Sequence, residues 1–288
     1  MKAGRNLVAL LAASSVLVAG CSRSGHQGTI ISVHGFGDAT TQARTARFAA
    51  DRTNDDEDQG GPPSRAVGTF DFESSNGTMT EGTTGDTKTL ELVVGGAAYM
   101  PMTAAGPIPT NDPCYGKKWA VFDYPKYAKE GLVSASKMSP VPLDPGRIVT
   151  ALRNADGTLT KIGSERVRGT LTDHYQVSAG SPALQQAFTE NNEISDQRLD
   201  ALDVWVDADQ RLRRVRSIVT VRWGNSSPSV SGPYAHVDGG TYKQTTTVDV
   251  WDYGVPVNVQ RPPDSEACDF PEFFQRTMNT FDHPGPTP

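Results

Sequence analysis

The stretch from Ile30 to Asp38 has the residue types closest to enzyme chemistry. It reads Ile-Ile-Ser-Val-His-Gly-Phe-Gly-Asp, an apolar run followed by a His-Gly turn of the kind that supplies oxyanion-binding N–H groups in α/β-hydrolases. Such an enzyme also needs a Gly-x-Ser-x-Gly elbow that exposes the nucleophilic serine. The sequence contains no such pentapeptide. It also lacks the alternation of strands and helices that builds a parallel sheet. We therefore expect a helix start here and a protein that is not an enzyme.

Metal and cofactor sites are not predicted either. The five histidines have no partner at a zinc-ligand spacing; they are His26, His34, His174, His236 and His283. The acidic run Asp55–Asp58 and the Asn154–Gly157 stretch lack the spaced ligands of a calcium loop. We interpret the first as a solvated loop and the second as a turn.

The N-terminal twenty residues have the pattern of a signal peptide. Lys2 and Arg5 precede the apolar run Leu7–Val18, which is short for a membrane span. The segment ends Leu-Val-Ala-Gly-Cys, which looks like a bacterial lipobox. By that resemblance, Cys21 would be diacylated with chains such as palmitate and would anchor the protein to a membrane. The alternative is an ordinary secretory cleavage site that leaves Cys21 as a free thiol.

The two remaining cysteines, Cys114 and Cys268, form an even pair in an oxidising compartment. We predict a disulfide between them, with two free thiols as the alternative. The chain has 27 basic and 33 acidic residues and a net charge of −6, which becomes −8 once the two basic residues of the signal peptide are removed. An acidic chain without a basic cluster argues against nucleic acid as a partner.

The main structural signal is the paired stretch Leu199–Trp223. Leu202, Val204 and Val206 alternate with acidic or aromatic residues, and a second run alternates in the same way after the turn Asp207–Gln210. Two adjacent strands with unlike faces predict an antiparallel sheet with one wet face.

Further strands and helices are predicted on both sides of this pair. The predicted strands are Ala66–Ser74, Leu90–Val94 turning at Gly95-Gly96 into Ala97–Met102, Lys117–Tyr124, Glu165–Ser178, Thr241–Tyr253 and an extended edge at Val255–Pro263. A helix is expected near Ala39–Ala50, running into a first strand near Ala46–Arg52. Further helices are expected at Tyr124–Ser136, after Ser181-Pro182 and after Asp144-Pro145, where Asp caps and Pro takes the first helical position.

The order of these pieces resembles the LolA/LppX-like (LppX/LprG-type) lipoproteins of actinobacteria over about residues 40 to 262. The residues that carry the resemblance are Phe70-Asp71-Phe72, Leu90–Gly95 with Tyr99, Lys118-Trp119, Asp144-Pro145 with Leu152, Gly169 with His174-Tyr175, Val204–Asp207 with Leu212–Arg214, and Asp252–Val257. The resemblance implies an α+β fold, an antiparallel β half-barrel whose concave face is covered by helices around an apolar cavity.

The predicted organisation has four parts: a signal peptide at 1–20, the lipidated cysteine and a flexible tether at 21–38, the half-barrel domain at 39–262, and a C-terminal extension at 263–288. We expect a non-catalytic lipoprotein, anchored to the extracytoplasmic face of the cell membrane, that binds a lipid, acyl chain or lipoprotein in the cavity. The candidate lining residues are Leu90, Leu92, Trp119, Leu132, Ile148, Leu152, Tyr175, Trp205 and Trp223. The alternative function is a cell-surface sensor or interaction module with a filled core.

Overall fold

The computed structural model of the chain describes residues 32–83, 89–102, 108, 110–130, 144–178, 180–189, 195–223 and 240–269. The predicted signal peptide, Cys21 and the tether up to residue 31 lie outside these ranges. Within them, no helix is long and apolar enough to cross a membrane.

One sheet of twelve strands forms the frame of the fold. In chain order the strands are β1 (Thr45–Asn54), β2 (Ser64–Asp71), β3 (Asn76–Thr83), β4 (Thr89–Val94), β5 (Ala97–Pro101), β6 (Trp119–Asp123), β7 (Leu159–Val167), β8 (Thr170–Val177), β9 (Ser195–Val206), β10 (Leu212–Trp223), β11 (Thr241–Trp251) and β12 (Ala267–Asp269). They are arranged as β12-β6-β5-β4-β3-β2-β1-β11-β10-β9-β8-β7. Every neighbouring pair is antiparallel except β12 and β6. The predicted α+β fold with an antiparallel half-barrel is confirmed.

The β9–β10 hairpin lies where the sequence predicted it. Leu202 and Val204 are fully buried on one face of β9, and Val215 is buried opposite Val204 on β10. At the reversal, the Asp207 carboxylate accepts hydrogen bonds from the backbone N–H groups of Asp209 and Arg211, each at 3.0 Å. The short acidic side chain thus satisfies the turn backbone in place of water.

Five α-helices and one short 3-10 helix, Asp264–Glu266, complete the described part of the fold. The α-helices are α1 (Val33–Gln42), α2 (Glu57–Gly60), α3 (Tyr124–Glu130), α4 (Pro145–Arg153) and α5 (Pro182–Phe188). Asp144 caps α4 as predicted, because its carboxylate accepts from the N–H of Gly146 at 2.7 Å. Helices α1, α4 and α5 pack together on one face of the sheet, where Phe36 meets Tyr175 of β8 with ring centroids 5.5 Å apart. We call this helix-covered face the inner face.

The first helix begins within the Ile30–Asp38 stretch, where a helix start was expected, and before the predicted end of the tether at residue 38. Ser32 caps it by accepting the N–H of Gly35 at 3.0 Å, and the helix ends at Gln42 before β1 begins at Thr45. The tether prediction to residue 38 is therefore wrong, and the helix expected near 39–50 ends at Gln42. The strand expected near Ala46–Arg52 is confirmed as part of β1. His34-Gly35-Phe36 is helical, so the oxyanion turn considered above is not formed.

The predicted single strand Glu165–Ser178 is wrong and is instead part of the β7–β8 hairpin. Arg168 and Gly169 form its turn with φ of 46° and 83°. Two consecutive positive φ values match the twist of a tight hairpin, and glycine adopts the second without strain. The Thr-rich strand β3 was not predicted.

The C-terminal part of the chain also differs from the prediction. Residues 255–263 do not form the expected strand, and the chain instead crosses from β11 in the middle of the sheet to its far edge. There β12 pairs with β6, and Cys268 is joined to Cys114 by the predicted disulfide. Residues 263–269 thus belong to the folded domain, not to a separate extension.

Replacing both cysteines, Cys114→Ala with Cys268→Ala, is expected to lower the free energy of unfolding by about 2–5 kcal/mol, because the bridge constrains the unfolded chain over a long loop. Denaturant titration of the full-length protein measures this change. A reducing agent should destabilise the wild-type protein by a similar amount and leave the double variant unchanged. Equal stability of both proteins under oxidising conditions would contradict the prediction.

Candidate functional site

Four of the nine predicted lining residues lie on the inner side of the fold. Ile148 and Leu152 project from α4 into the core, and Leu152 is fully buried. Tyr175 packs against Phe36 of α1, and Trp223 lies partly buried at the end of β10. Leu132 lies outside the described residues.

The other four lie on the outer face of the sheet. Leu90 and Leu92 of β4 alternate with buried Glu91 and Val93, and Leu90 is 45% exposed. The remaining two are Trp119 of β6 and Trp205 of β9. The hypothesis that these four line an inner cavity is therefore wrong.

Trp205 is buried on the outer face because polar neighbours cover it. Its ring stacks on His174, with centroids 4.1 Å apart and planes 12° apart. Its indole N–H donates to Glu165 at 2.6 Å, from the β7–β8 hairpin. Arg214 and Arg216 lie over the same ring at 5.8 and 5.6 Å from its centroid. Trp205 thus anchors a charged outer surface.

On the inner face, the strand register places one row of polar residues across five strands. From β10 to β3 the neighbours in this row are Ser217, Thr246, Arg52, Ser64 and Thr83. Ser217 and Ser64 are buried, whereas Thr246 and Arg52 are partly exposed. A row of hydroxyls beside a guanidinium can hydrogen-bond both donors and acceptors.

The rows next to it are apolar except on β3 and β4. The first apolar row contains Val215, Val248, Ala50 and Ala66 and reaches Glu81 on β3. The second apolar row contains Val250, Phe48, Gly68 and Met79 and reaches Glu91 on β4. The inner face therefore changes from apolar to polar along the strands, and two carboxyl groups project into its apolar part.

Glu91 has an unusual environment for a carboxyl group. It is 2% exposed, and its Oε2 has no hydrogen-bond partner among the described residues. Burial, and secondarily the negative charge of Glu81, raises the pKa of Glu91 from 4.5 to about 7. Burial also raises the pKa of Glu81, although the nearby Arg52 guanidinium opposes this. Both effects follow from removing charge from water.

Local sequence patterns do not predict this cluster. The string Leu90-Glu91-Leu92-Val93 fits a strand with either face inward, and the two leucines favoured the wrong one. Arg52 and Glu81 lie among threonines and charged residues that have no apolar alternation. Only the register of β1 to β4 brings them to one face.

Other candidate sites are limited within the described ranges. They contain no group of three His, Cys, Asp or Glu residues that could hold a metal ion. An open crevice of about 620 Å³ lies between the end of α4 and the start of α5, lined by Asn154, Asp156, Gly157, Thr158, Ser178, Gly180, Ser181, Pro182 and Ala183. It contains none of the predicted lining residues.

Comparison with known proteins gives structural likenesses only. No family model matches the sequence, and no curated protein matches it significantly. The chain is similar to lipoprotein LppX of Mycobacterium tuberculosis, at 12% identity and a TM-score of 0.46, over 79% of this chain and 96% of that one. It is also similar to LprF from Mycobacterium bovis, at 12% identity and a TM-score of 0.39, over 80% and 94% of the two chains.

A third likeness is to a LolA superfamily protein from Nitrosomonas europaea, at 8% identity and a TM-score of 0.29, over 81% and 96% of the two chains. The sheet order and the position of the helices establish the fold class of this chain independently.

Replacing Glu91 by glutamine should change how stability depends on pH. The folded wild type holds a proton on Glu91 up to pH about 7, whereas the unfolded chain releases it near 4.5. Wild-type stability should therefore fall as pH rises through this window, by up to about 3 kcal/mol in total. Glu91→Gln removes this pH-dependent loss of stability. The free energy of unfolding of the variant should therefore increase relative to that of the wild type as the pH rises from 4.5 to 8.

Denaturant titrations of the full-length protein at several pH values measure the difference. Glu57→Gln, at an exposed glutamate of α2, is the matched control and should follow the wild type at every pH. A difference between Glu91→Gln and wild type that stays constant across the window would contradict the prediction.

Proposed function

We propose that this protein is a membrane-anchored, extracytoplasmic lipoprotein without catalytic activity that shelters an acyl chain or lipid between its sheet and its helices. The observation that carries the proposal is the change of the inner face from apolar to polar along the strands. Apolar rows centred on Phe48 and Ala66 run beside the polar row centred on Arg52. A surface with two such zones side by side is complementary to an amphiphile.

Affinity for the chain part of an amphiphile would come from burial. Each buried methylene contributes about 0.8 kcal/mol, without any one side chain being essential. The apolar rows and the helices packed on them offer valine, alanine, phenylalanine and methionine surfaces for this purpose. No nucleophile or metal is required for such a role.

The proposed location is supported by the N-terminal sequence and by the cysteines. The basic start, the apolar run and the Leu-Val-Ala-Gly-Cys ending favour export and lipidation at Cys21. The disulfide between Cys114 and Cys268 is typical of an oxidising compartment outside the cytoplasm.

A second candidate function is an interaction module with a filled core, a sensor or adaptor that meets a protein partner through its surface. The tight packing beneath α1 and α4 favours it, since Phe36 and Leu152 are fully buried. The two functions differ in whether the inner face accepts a ligand.

Three consecutive threonines on β11 provide a matched test of the carrier function. Thr246 points to the inner face between Ser217 and Arg52, whereas Thr247 points outward between Arg216 and Asp51. All are partly exposed. Thr246→Trp should occupy space at the polar end of the inner face and weaken binding of a fluorescent fatty-acyl probe by about tenfold or more, since excluding only two methylenes costs that much.

Probe titration into the full-length protein in detergent micelles, with protein-free micelles as the blank, gives the two dissociation constants. Thr247→Trp should bind the probe as the wild type does. No saturable uptake by the wild type, or equal loss in both variants, would contradict the carrier function and favour the interaction module.

A further inference from the structure

We infer that Glu91, together with Glu81 and Arg52, forms a head-group site on the inner face that takes the protonated amine of an amphiphile. This inference rests on the proposed function, since it names the chemistry of the ligand that the inner face would shelter. None of its three side chains is among the predicted lining residues.

Glu91 has unmet hydrogen-bonding capacity. The side chain lies at the inward position of β4 opposite Met79, and its Oε2 is buried without a donor among the described residues. A buried carboxyl oxygen without a donor costs more than a paired one. By contrast, the buried carboxylates Asp203 and Asp249 on the outer face are each paired with arginine. A donor supplied by a ligand would give Glu91 the hydrogen bond that an arginine gives to each of these outer carboxylates.

A second carboxyl group lies near Glu91 on the inner face. Glu81 lies diagonally across from Glu91, within reach of a common ligand. Two carboxyl groups within reach of one ligand, one of them with an unmet oxygen, indicate a place that a polar donor can fill.

The charge balance of the cluster selects the type of head group. Glu81 and Glu91 bring two potential negative charges, and Arg52 brings one positive charge that acts on Glu81. Arg52 forms no ion pair of its own with any described residue. With both carboxyls ionised the cluster has a net charge of about −1, which an ammonium group neutralises and a fatty-acid carboxylate would make worse.

A primary amine also has suitable geometry. Its three N–H donors can reach Glu91 and Glu81 together. The alkyl chain would then continue over the apolar rows that contain Met79 and Phe48. A hydroxyl head group could donate only one hydrogen bond and would leave the negative charge uncompensated.

The test compares three probes with the same chain: dodecylamine, dodecanol and dodecanoate. Their affinities for the full-length protein are measured at pH 8 by displacement of the fluorescent acyl probe, with protein-free micelles as the blank. We expect dodecylamine to bind at least tenfold more tightly than dodecanol, and dodecanoate to bind most weakly. Glu91→Gln should reduce the preference for the amine to threefold or less while leaving the affinity for dodecanol unchanged.

Two further variants keep the inference falsifiable. Glu81→Gln, at a partly exposed position, should also reduce the amine preference, and Glu57→Gln on α2 should preserve it. Equal binding of the amine and the alcohol by the wild type, or a preference that survives both Glu91→Gln and Glu81→Gln, would overturn the head-group site while leaving the carrier function intact. Saturable binding of the acyl probe that none of the three amphiphiles displaces would also overturn the head-group site. Absence of saturable acyl-probe binding by the wild type would instead overturn the carrier function itself.

Discussion

The register between neighbouring strands is the constraint on which the rest of this structure depends. Side chains alternate between the two faces of a strand, so one pairing choice decides which residues of every strand meet the helices. With Arg52 opposite Ser64 and Thr246, five polar residues form one row on the inner face, and the residues of the next rows are apolar. A slip by one residue would bury Arg47 and Asp51 in place of Phe48 and Ala50. The apolar interior and its polar border are therefore two consequences of the same hydrogen-bond ladder.

In the described part of the chain, buried carboxyl groups are hydrogen-bonded to arginine on the outer face of the sheet but not on the inner face. On the outer face, Asp249 accepts from Arg214 at 2.6 Å and from Arg168 at 3.0 Å, and Asp203 accepts from Arg216 at 2.8 Å. These contacts satisfy the carboxylates and join the β7–β8 hairpin to the middle of the sheet. A buried ion pair with complete hydrogen bonding is tolerated, whereas a buried carboxyl without one is costly. Glu91 on the inner face is a buried carboxyl group without complete hydrogen bonding, and a ligand that donates to it would remove this cost.

Sequence reasoning found the features that local chemistry decides. The Asp144-Pro145 helix start follows from capping, and the Asp207 turn follows from a carboxylate that bonds its own backbone. It was wrong where the pairing of distant strands determines which face of the sheet a residue occupies. Leu90 and Leu92 look like core residues, but the register of β4 turns them outward, and Trp205 is buried by an ion-paired surface instead of the apolar core. The parallel pairing of β12 with β6 joins segments about 150 residues apart, and no local sequence pattern predicts it.

Native mass spectrometry of the full-length protein tests most directly whether the inner face shelters a lipid or acyl chain. The protein would be purified from a lipid-rich bacterial host in a mild detergent that is removed in the gas phase. The account predicts an additional mass that organic extraction removes and that fragmentation identifies as a lipid, beyond any covalent acylation of Cys21. A polypeptide that retains its covalent modifications and its disulfide but never carries extractable lipid would contradict the account and favour a protein with a filled core.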